Sequence, residues 1–410
     1  MNMAGWQTVR LGEIVKTNQS TYSPKENWEF VNYLDTGNIT MNKIDEIQYI
    51  NTTKDKLPSR ARRKVKINSI IYSTVRPNQL HYGIIKEQPD NFLVSTGFTV
   101  IDVDYDKAVP DFIYYALTKH EVTEQLQAIA EQSVSAYPSI KPSDIENLEL
   151  TLPDKKAQER IVSILSSIDE KTKENNAINN NLEQQAKALF KSWFVDYEPF
   201  GGNQPTEMYF VPLQELCKVV TKGTTPTTLG KPFTSSGINF IKAESILDNH
   251  TIDSSKFAFI DEETNSVLKR STIEKNDIVF TIAGTLGRFA LIDDSILPAN
   301  TNQAVAIIRP DTNKITPSYL YSFFIGNWHN DYYSKGVQQA VQANLSLTTI
   351  KSLPIAVANK DTMSKYDELV HSLFALMKNN EVENRRLSNL RDTLLPKLMS
   401  GELDVSDIDL

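Results

Sequence analysis

Two rhythms of apolar and polar positions run along this chain. The first steps by three and four. Positions 161, 164, 168, 171, 175, 178, 182, 185, 189 and 192 hold Ile, Ile, Ile, Lys, Asn, Ile, Leu, Gln, Leu and Ser. Adding 205 to each gives 366, 369, 373, 376, 380, 383, 387, 390, 394 and 397, which hold Tyr, Leu, Leu, Leu, Asn, Glu, Leu, Leu, Leu and Lys. Both stretches keep a heptad-like seam in one phase. Asn is a mediocre helix former, so the run NNAINNN (175–181) reads at first as a linker. The unbroken seam predicts instead two helices of roughly 40 residues, about 60 Å each at 1.5 Å per residue. The second is expected to stop at Leu395–Pro396, where proline removes a backbone donor.

A long helix with one apolar stripe needs a partner, and its duplicate is in the same chain. Antiparallel pairing puts the midpoints together, so Asn175 and Asn380 are expected to meet at a pseudo-twofold axis. Ile168, Leu182, Leu373 and Leu387 line the seam around them. A polar pair there would fix register at some cost in stability. The other reading is two separate helices, each lying on its own domain with its asparagine solvated.

The second rhythm is that of short strands. SIIYSTV, FTVIDV, DIVFTIA and AVAIIRP are β-branched or aromatic runs bounded by Pro, Gly, Asn and Asp. PDFIYYALTKHEVTEQLQAIA (110–130) predicts one helix opened by Pro110. These signals recur. INSIIYSTVRP (67–77) resembles KNDIVFTIAGTLGR (275–288), and PDFIYYAL (110–117) resembles PSYLYSFF (317–324). IENLELTLP (145–153) lines up with IKSLPIAVA (350–358), and VRLGEI (9–14) with VPLQEL (211–216). A long period used twice means duplicated domains. The expected architecture is α+β: two mostly-β domains, 1–153 and 201–358, separated by a pair of long antiparallel, coiled-coil-like helices at 154–200 and 359–410.

Composition changes little. With 410 residues, 40 % apolar and 23 % charged, the chain suits a soluble protein of two or more domains. No apolar run approaches the roughly 20 residues that span a bilayer, and MNMAGWQTVRLGEI has no basic leader or hydrophobic stretch. A cytoplasmic protein without a membrane partner is expected. The single cysteine, Cys217, excludes an internal disulfide and thiolate zinc sites, and reads as a buried structural thiol. The net charge of −8 argues against a nucleic-acid partner, but charge is segregated. Between Lys54 and Lys86 nine Lys or Arg stand against Asp55 alone, a balance of +8.

Certain strings resemble a known family. LPDKKAQERIVSILSSIDEKTKENNAINNNLEQQAKALFKSWFVDYE (152–198), LPSRARRKVKINSIIYSTVRP (57–77) and RLSNLRDTLLPKLMSGEL (386–403) are similar to segments of the specificity subunit of Type I restriction–modification systems. The resemblance covers essentially the whole chain. It implies two target-recognition domains, each reading one half of a split, asymmetric DNA site, on a non-catalytic chain. It also implies two methyltransferase subunits as partners and, through them, the motor and nuclease (restriction) subunits. No cofactor is then expected in this chain, because S-adenosylmethionine, ATP and Mg²⁺ belong to the partner subunits. On physical grounds, two diverged domains on a rod of about 60 Å suit half-sites separated by a gap, one DNA turn being about 34–36 Å.

Candidate DNA contacts follow. In SRARRKVK, Ser59, Arg60, Arg62, Arg63, Lys64 and Lys66 form a basic run that either meets phosphates and guanine edges or is a solvated face. Arg76, His81 and Tyr82 follow a strand end. The second half is less basic. Its candidates are Lys218, Lys222, Gly223, Thr224 and Lys231, then Lys269 and Arg270, then the loop of Gly284, Thr285, Gly287 and Arg288. Glycines there either let backbone approach phosphate or only allow positive φ. Gln338 and Gln339 are amides of the kind that bind adenine, or an ordinary polar helix start. Phe190, Trp193 and Phe194 are either a docking face for a methyltransferase subunit or plain core.

Catalytic hardware is sparse. There is no G-x-x-x-x-G-K-[ST], G-x-G-x-x-G or G-x-S-x-G, and no Asn-Pro-Pro-aromatic string. Five scattered histidines offer no metal spacing. The rival readings are a stand-alone nuclease built on scattered carboxylates, and a protein-binding scaffold.

Overall fold

The computed structural model describes residues 5–133, 137–328 and 345–406. It forms two compact units, 1–172 with 386–410 and 173–385. The divisions fall inside the two long helices, Lys155–Phe194 and Lys360–Met399, so each unit contains a stretch of both.

The first unit holds β1 (Gln7–Arg10), β2 (Val15–Thr17), β3 (Phe30–Leu34), β4 (Ile39–Thr40), β5 (Lys43–Ile44), β6 (Gln48–Asn51), β7 (Ala61–Lys64), β8 (Ile70–Ser73), β9 (Tyr82–Ile84), β10 (Phe92–Ser95), β11 (Phe98–Val103) and β12 (Glu149–Leu152). They form sheets ordered β6-β3-β10-β7 and β2-β11-β8-β9, with the ribbons β1-β12 and β4-β5. Among the described residues of this unit only β3 and β10 run parallel; the other pairs are antiparallel.

The second unit repeats this plan. It holds β13 (Tyr209–Pro212), β14 (Cys217–Lys222), β15 (Ile238–Ile241), β16 (Ala258–Ile260), β17 (Thr272–Ile273), β18 (Ile278–Thr281), β19 (Phe289–Leu291), β20 (Ala299–Thr301), β21 (Val305–Pro310) and β22 (Pro354–Val357). The orders β16-β15-β20-β17, β14-β21-β18-β19 and β13-β22 match the first unit strand for strand. β15 and β20 are its parallel pair. The β-branched runs recognised from sequence are the buried central strands: β8 pairs with β11, and β18 with β21.

One helix expected over 110–130 is two, Pro110–Leu117 and His120–Glu131. The Thr118 hydroxyl donates to the Tyr114 carbonyl (2.9 Å) and competes with continued backbone bonding. The second long helix also runs past Pro396 to Met399. Proline is tolerated there because one missing donor near a helix end costs little, and the Ser400 amide still closes on the Pro396 carbonyl (3.0 Å).

Within the second unit the two helices pair antiparallel through a ladder of amides. Asn175 Nδ2 donates to Glu383 Oε2 (2.8 Å) and Asn384 Oδ1 (2.9 Å). Asn179 Nδ2 donates to the Met377 carbonyl (3.1 Å), and Asn380 Nδ2 donates to Asn179 Oδ1 (2.8 Å). Asn384 Nδ2 reaches Asn176 Oδ1 (3.0 Å). Asn175 and Asn380 are both buried, but each bonds residues about one turn away from the other asparagine, so the expected direct meeting becomes a staggered one. Leu182 is buried, and Leu373 packs beside it in the same core.

The seam itself needs one correction. Ile161, Ile168, Asn175 and Leu182 are buried as expected, but the positions between them are Leu165 and Ala186, not Ile164 and Gln185. Ile178, Leu369, Leu376 and Leu390, placed on the seam from sequence, are exposed. The alternation is four-three where three-four was read, which brings Ala186 into the core. In the first unit, Ile161 and Leu165 share a core with Leu398 and Met399, Ile168 is buried, and Leu387 is half-buried.

Candidate nucleic-acid interface

The basic run of the first unit lies on β7, an edge strand beside β10. Strand alternation sorts its side chains onto two faces. Ala61 is fully buried, and Arg63 turns the same way: its Nε is shut from solvent and burial lowers its affinity for a proton. Arg63 therefore offers less of its guanidinium to a phosphate than Arg60 does. Arg60 is exposed and Arg62 half-exposed; neither enters an ion pair among the described residues. Ser59 is exposed beside them. Lys64 is committed locally, paired with Glu26 and lying 5.0 Å over the Trp28 ring.

Lys66 belongs to a structural pair. It lies 3.7 Å from Asp102 on β11, and Asp102 also accepts from Ser69 Oγ (2.6 Å). Register places Arg309 on β21 where Asp102 stands on β11, because Ile101 pairs with Ile70 and Ile308 with Ile278. Asp277 and Glu274 then occupy the places of Ser69 and Lys66. Arg309 forks onto Asp277 (2.8 and 2.8 Å) and reaches Glu274 (2.6 Å). The pair is kept and its polarity is reversed. In both copies an ion pair spans this position, although Lys66 itself stays largely exposed.

Arg76 is exposed in a left-handed conformation (φ 48°), 5.1 Å from the Tyr137 ring. His81 Nδ1 donates to the Ile39 carbonyl (2.6 Å), which fixes its ring. Tyr82 is core: it is buried, stacks on Tyr72 at 5.5 Å, and burial pushes its hydroxyl up to about 12. As a candidate DNA contact Tyr82 is corrected: its ring faces the core.

In the second unit, Lys218 and Lys222 are exposed on β14. Gly223 is buried, and a Cβ there would lie 2.0 Å from the Thr301 carbonyl oxygen. Its lack of a side chain serves packing of the chain on itself rather than approach to phosphate. The Thr224 amide bonds the Thr301 carbonyl (3.1 Å), and Arg270 Nη2 donates to Thr224 Oγ1 (3.2 Å). Lys269 is exposed, and Lys231 pairs with Glu263. Gly284 and Gly287 adopt positive φ (79° and 82°) with open space around them, and Thr285 between them is exposed. Arg288 is not free: it forks onto Asp248 (2.6 and 2.6 Å). Gln338 and Gln339 lie outside the described residues.

The aromatic trio at the end of the first long helix is core. Phe190 and Phe194 are buried, and Phe194 meets Tyr319 and Tyr366 edge-on at 4.9 Å each. Trp193 is half-buried against Phe200 and Tyr366. Cys217 is half-buried, and burial pushes its thiol up to about 12, which leaves it unreactive.

His250 supplies a pH handle. It stacks on Phe289 at 4.0 Å, and burial lowers its pKa, opposed by Glu183 and Asp248 and assisted by Lys187. An unfolded histidine titrates near about 6.5, so the unfolded chain binds the proton first as pH falls. The share of this unit's stability that rests on a neutral His250 should therefore decline as pH falls below about 6.5. Thermal melts between about pH 7.5 and 5.5 should show a steeper decline for the native chain than for His250→Gln; equal slopes would contradict this.

Each unit thus presents a mixed-sheet domain with exposed cations on its strand edges, in two matched copies. The chain matches the family described as Type I restriction modification DNA specificity domain over residues 3–184 and again over 205–391. Both repeats are covered, and the chain belongs to that family. It is 27 % identical to the Type I restriction enzyme HindI specificity subunit of Haemophilus influenzae, over 98 % of this chain and 100 % of that one. It is 25 % identical to the MjaIX specificity subunit of Methanocaldococcus jannaschii, over 80 % of this chain and 76 % of the other. The crystal structure of the Type I restriction–modification S subunit from M. genitalium shares the fold, with a TM-score of 0.58, 16 % identity and 97 % of each chain covered. Among the described residues no helix is long and apolar enough to cross a membrane.

Proposed function

We propose that this chain is the sequence-reading subunit of a Type I restriction–modification complex, with each domain contacting one half of a bipartite, asymmetric DNA site. The observation that carries this reading is the family match over both repeats, each of which has its own set of sheets. Arg60, Arg62 and Arg76 in the first domain, and Lys218, Lys222, Lys269 and Arg270 in the second, are the cations left to meet phosphate and base edges. Divergence between the copies lets them read different half-sites. The chain itself carries out no chemistry; methyl transfer, ATP-driven translocation and cleavage belong to methyltransferase and restriction subunits, which bring S-adenosylmethionine, ATP and Mg²⁺. This assembly acts in the cytoplasm. Leu369 and Leu376 are exposed and seven residues apart, hence on one helix face, and offer a methyltransferase subunit the apolar contact that buried Phe190 and Phe194 cannot.

The test removes the free arginines. Arg60→Ala with Arg62→Ala, assayed in the presence of methyltransferase subunits, should weaken DNA binding across all sequences. The salt dependence should become shallower by about 0.9 for each phosphate that is no longer neutralised. Unchanged affinity and slope would favour a scaffold that grips protein. Cleavage or methyl transfer by the chain alone would favour an enzyme.

A further inference from the structure

The two copies invert a charge at a second place where their backbones agree. Each domain has a single parallel strand contact, and the chain leaves both of its carboxyl ends there. β3 and β15 exit at Leu34 and Ile241, both fully buried, and each is followed by one residue and then a single 3-10 turn, Thr36–Asn38 or Ala243–Ser245. The residue between is Asp35 in the first domain (φ −85°, ψ 160°) and Lys242 in the second (φ −107°, ψ 167°). The next structural position, Ile39 or Ile246, is again buried in both. These are the same site on the fold with opposite charges. The reversal differs in its setting from that of Lys66 and Glu274: Tyr33, which donates to Asp35 Oδ1 (2.9 Å), is replaced by Phe240, and Lys242 pairs instead with Glu244, two residues further along its own turn.

Carboxyl ends of parallel strands are where chains diverge and leave room for a ligand. An arginine stands near Asp35, and in the second domain another is linked through Thr224 to the strand paired with β15. Arg60 lies close enough to Asp35 to act on its charge, and its carbonyl receives the Thr96 amide (2.8 Å) from the loop leaving β10. Arg270 reaches Thr224, which is tied to the last residue of β20. Asp35 is half-exposed and oriented by Tyr33, Ser95 and the Thr36 amide; a carboxylate offers about four acceptor sites, so one remains. Lys242 is 33 % exposed and held by Glu244 (2.9 Å), with ammonium donors to spare.

We propose that Asp35 and Lys242 are specificity-determining residues occupying one topological position, with Asp35 accepting from an exocyclic amino group (cytosine N4 or adenine N6) and Lys242 donating to guanine O6 and N7. This rests on the function proposed above. The neighbouring arginine anchors the backbone and the residue at the strand end reads the base, so the copies read unlike half-sites by inverting one hydrogen-bond polarity.

The experiment uses the complex of this chain with its methyltransferase subunits. Mapping of methylated adenines defines the native site, and duplexes with single base-pair changes then compete for binding. Asp35→Asn should lower discrimination about 10-fold at one base pair of one half-site, and Lys242→Gln should do the same in the other half. Melting curves report folding, and Lys242, being partly exposed, gives an arm independent of Asp35. Native discrimination retained in a half-site, or a uniform loss across all duplexes, overturns the assignment for that domain. A native complex that prefers no duplex would instead reject the proposed function itself.

Discussion

Arg309→Ala should destabilise the second unit by about 3–5 kcal/mol, the cost of leaving a buried charge without its partner. Asp277 is fully buried, and two of its hydrogen bonds come from one guanidinium. Burial already pushes this carboxyl above its usual range, against the pull of Arg309. Removing Arg309 leaves only the Glu274 amide (2.7 Å) facing it. Glu274 and the Thr272 carbonyl lose a donor in the same step. Hydrogen exchange of Ile278–Thr281, the strand that follows Asp277, should show the loss directly, with a fall in melting temperature on the order of 10 °C. Arg309→Met combined with Asp277→Leu should recover most of the stability, since a buried pair replaced by apolar groups is often neutral. A single variant as stable as the native chain would mean that water already reaches Asp277.

Phe194→Ala should cost about 3–5 kcal/mol as well, through reduced burial and an unfilled cavity. The ring is buried between Tyr319 and Tyr366 and touches Phe190 at 5.1 Å. It therefore ties the end of the first long helix to Pro317–Ile325 and to the start of the second. Leu369→Ala, on an exposed face, should leave folding within about 0.5 kcal/mol while weakening methyltransferase association. Chemical denaturation of both variants, followed by co-purification, separates the roles. A Phe194→Ala chain of native stability that fails to bind its partner would restore the docking role to the trio.

The helices, the duplication and the central strands were legible because each rests on a long repetition. A seam through NNAINNN survives poor local propensity when the apolar positions on either side keep step. Phase was harder. A three-four and a four-three alternation share every seventh residue, and only packing decides whether Ile164 or Leu165 turns inward. The break at Thr118 depended on one hydroxyl, which composition does not advertise. The basic run shows the same limit. Its charge was visible, yet strand alternation and two partner acids decided that Arg60 and Arg62 face out while Arg63 turns inward and Lys64 and Lys66 pair with acids. The inversion at Lys66 and Glu274 was present in the sequence, but recognising it needed the sheet register.

In each domain the opening strand lies hydrogen-bonded to the closing one, β1 to β12 and β13 to β22. Everything that distinguishes one domain from the other is strung between two adjacent strands, like a bead whose thread enters and leaves by the same hole. Interior loops are free to lengthen, shorten or change their chemistry while the hand-off to the long helix that follows, at Lys155 or Lys360, stays where it was. The segment between those two strands can therefore be exchanged without moving the point at which the chain enters the helix.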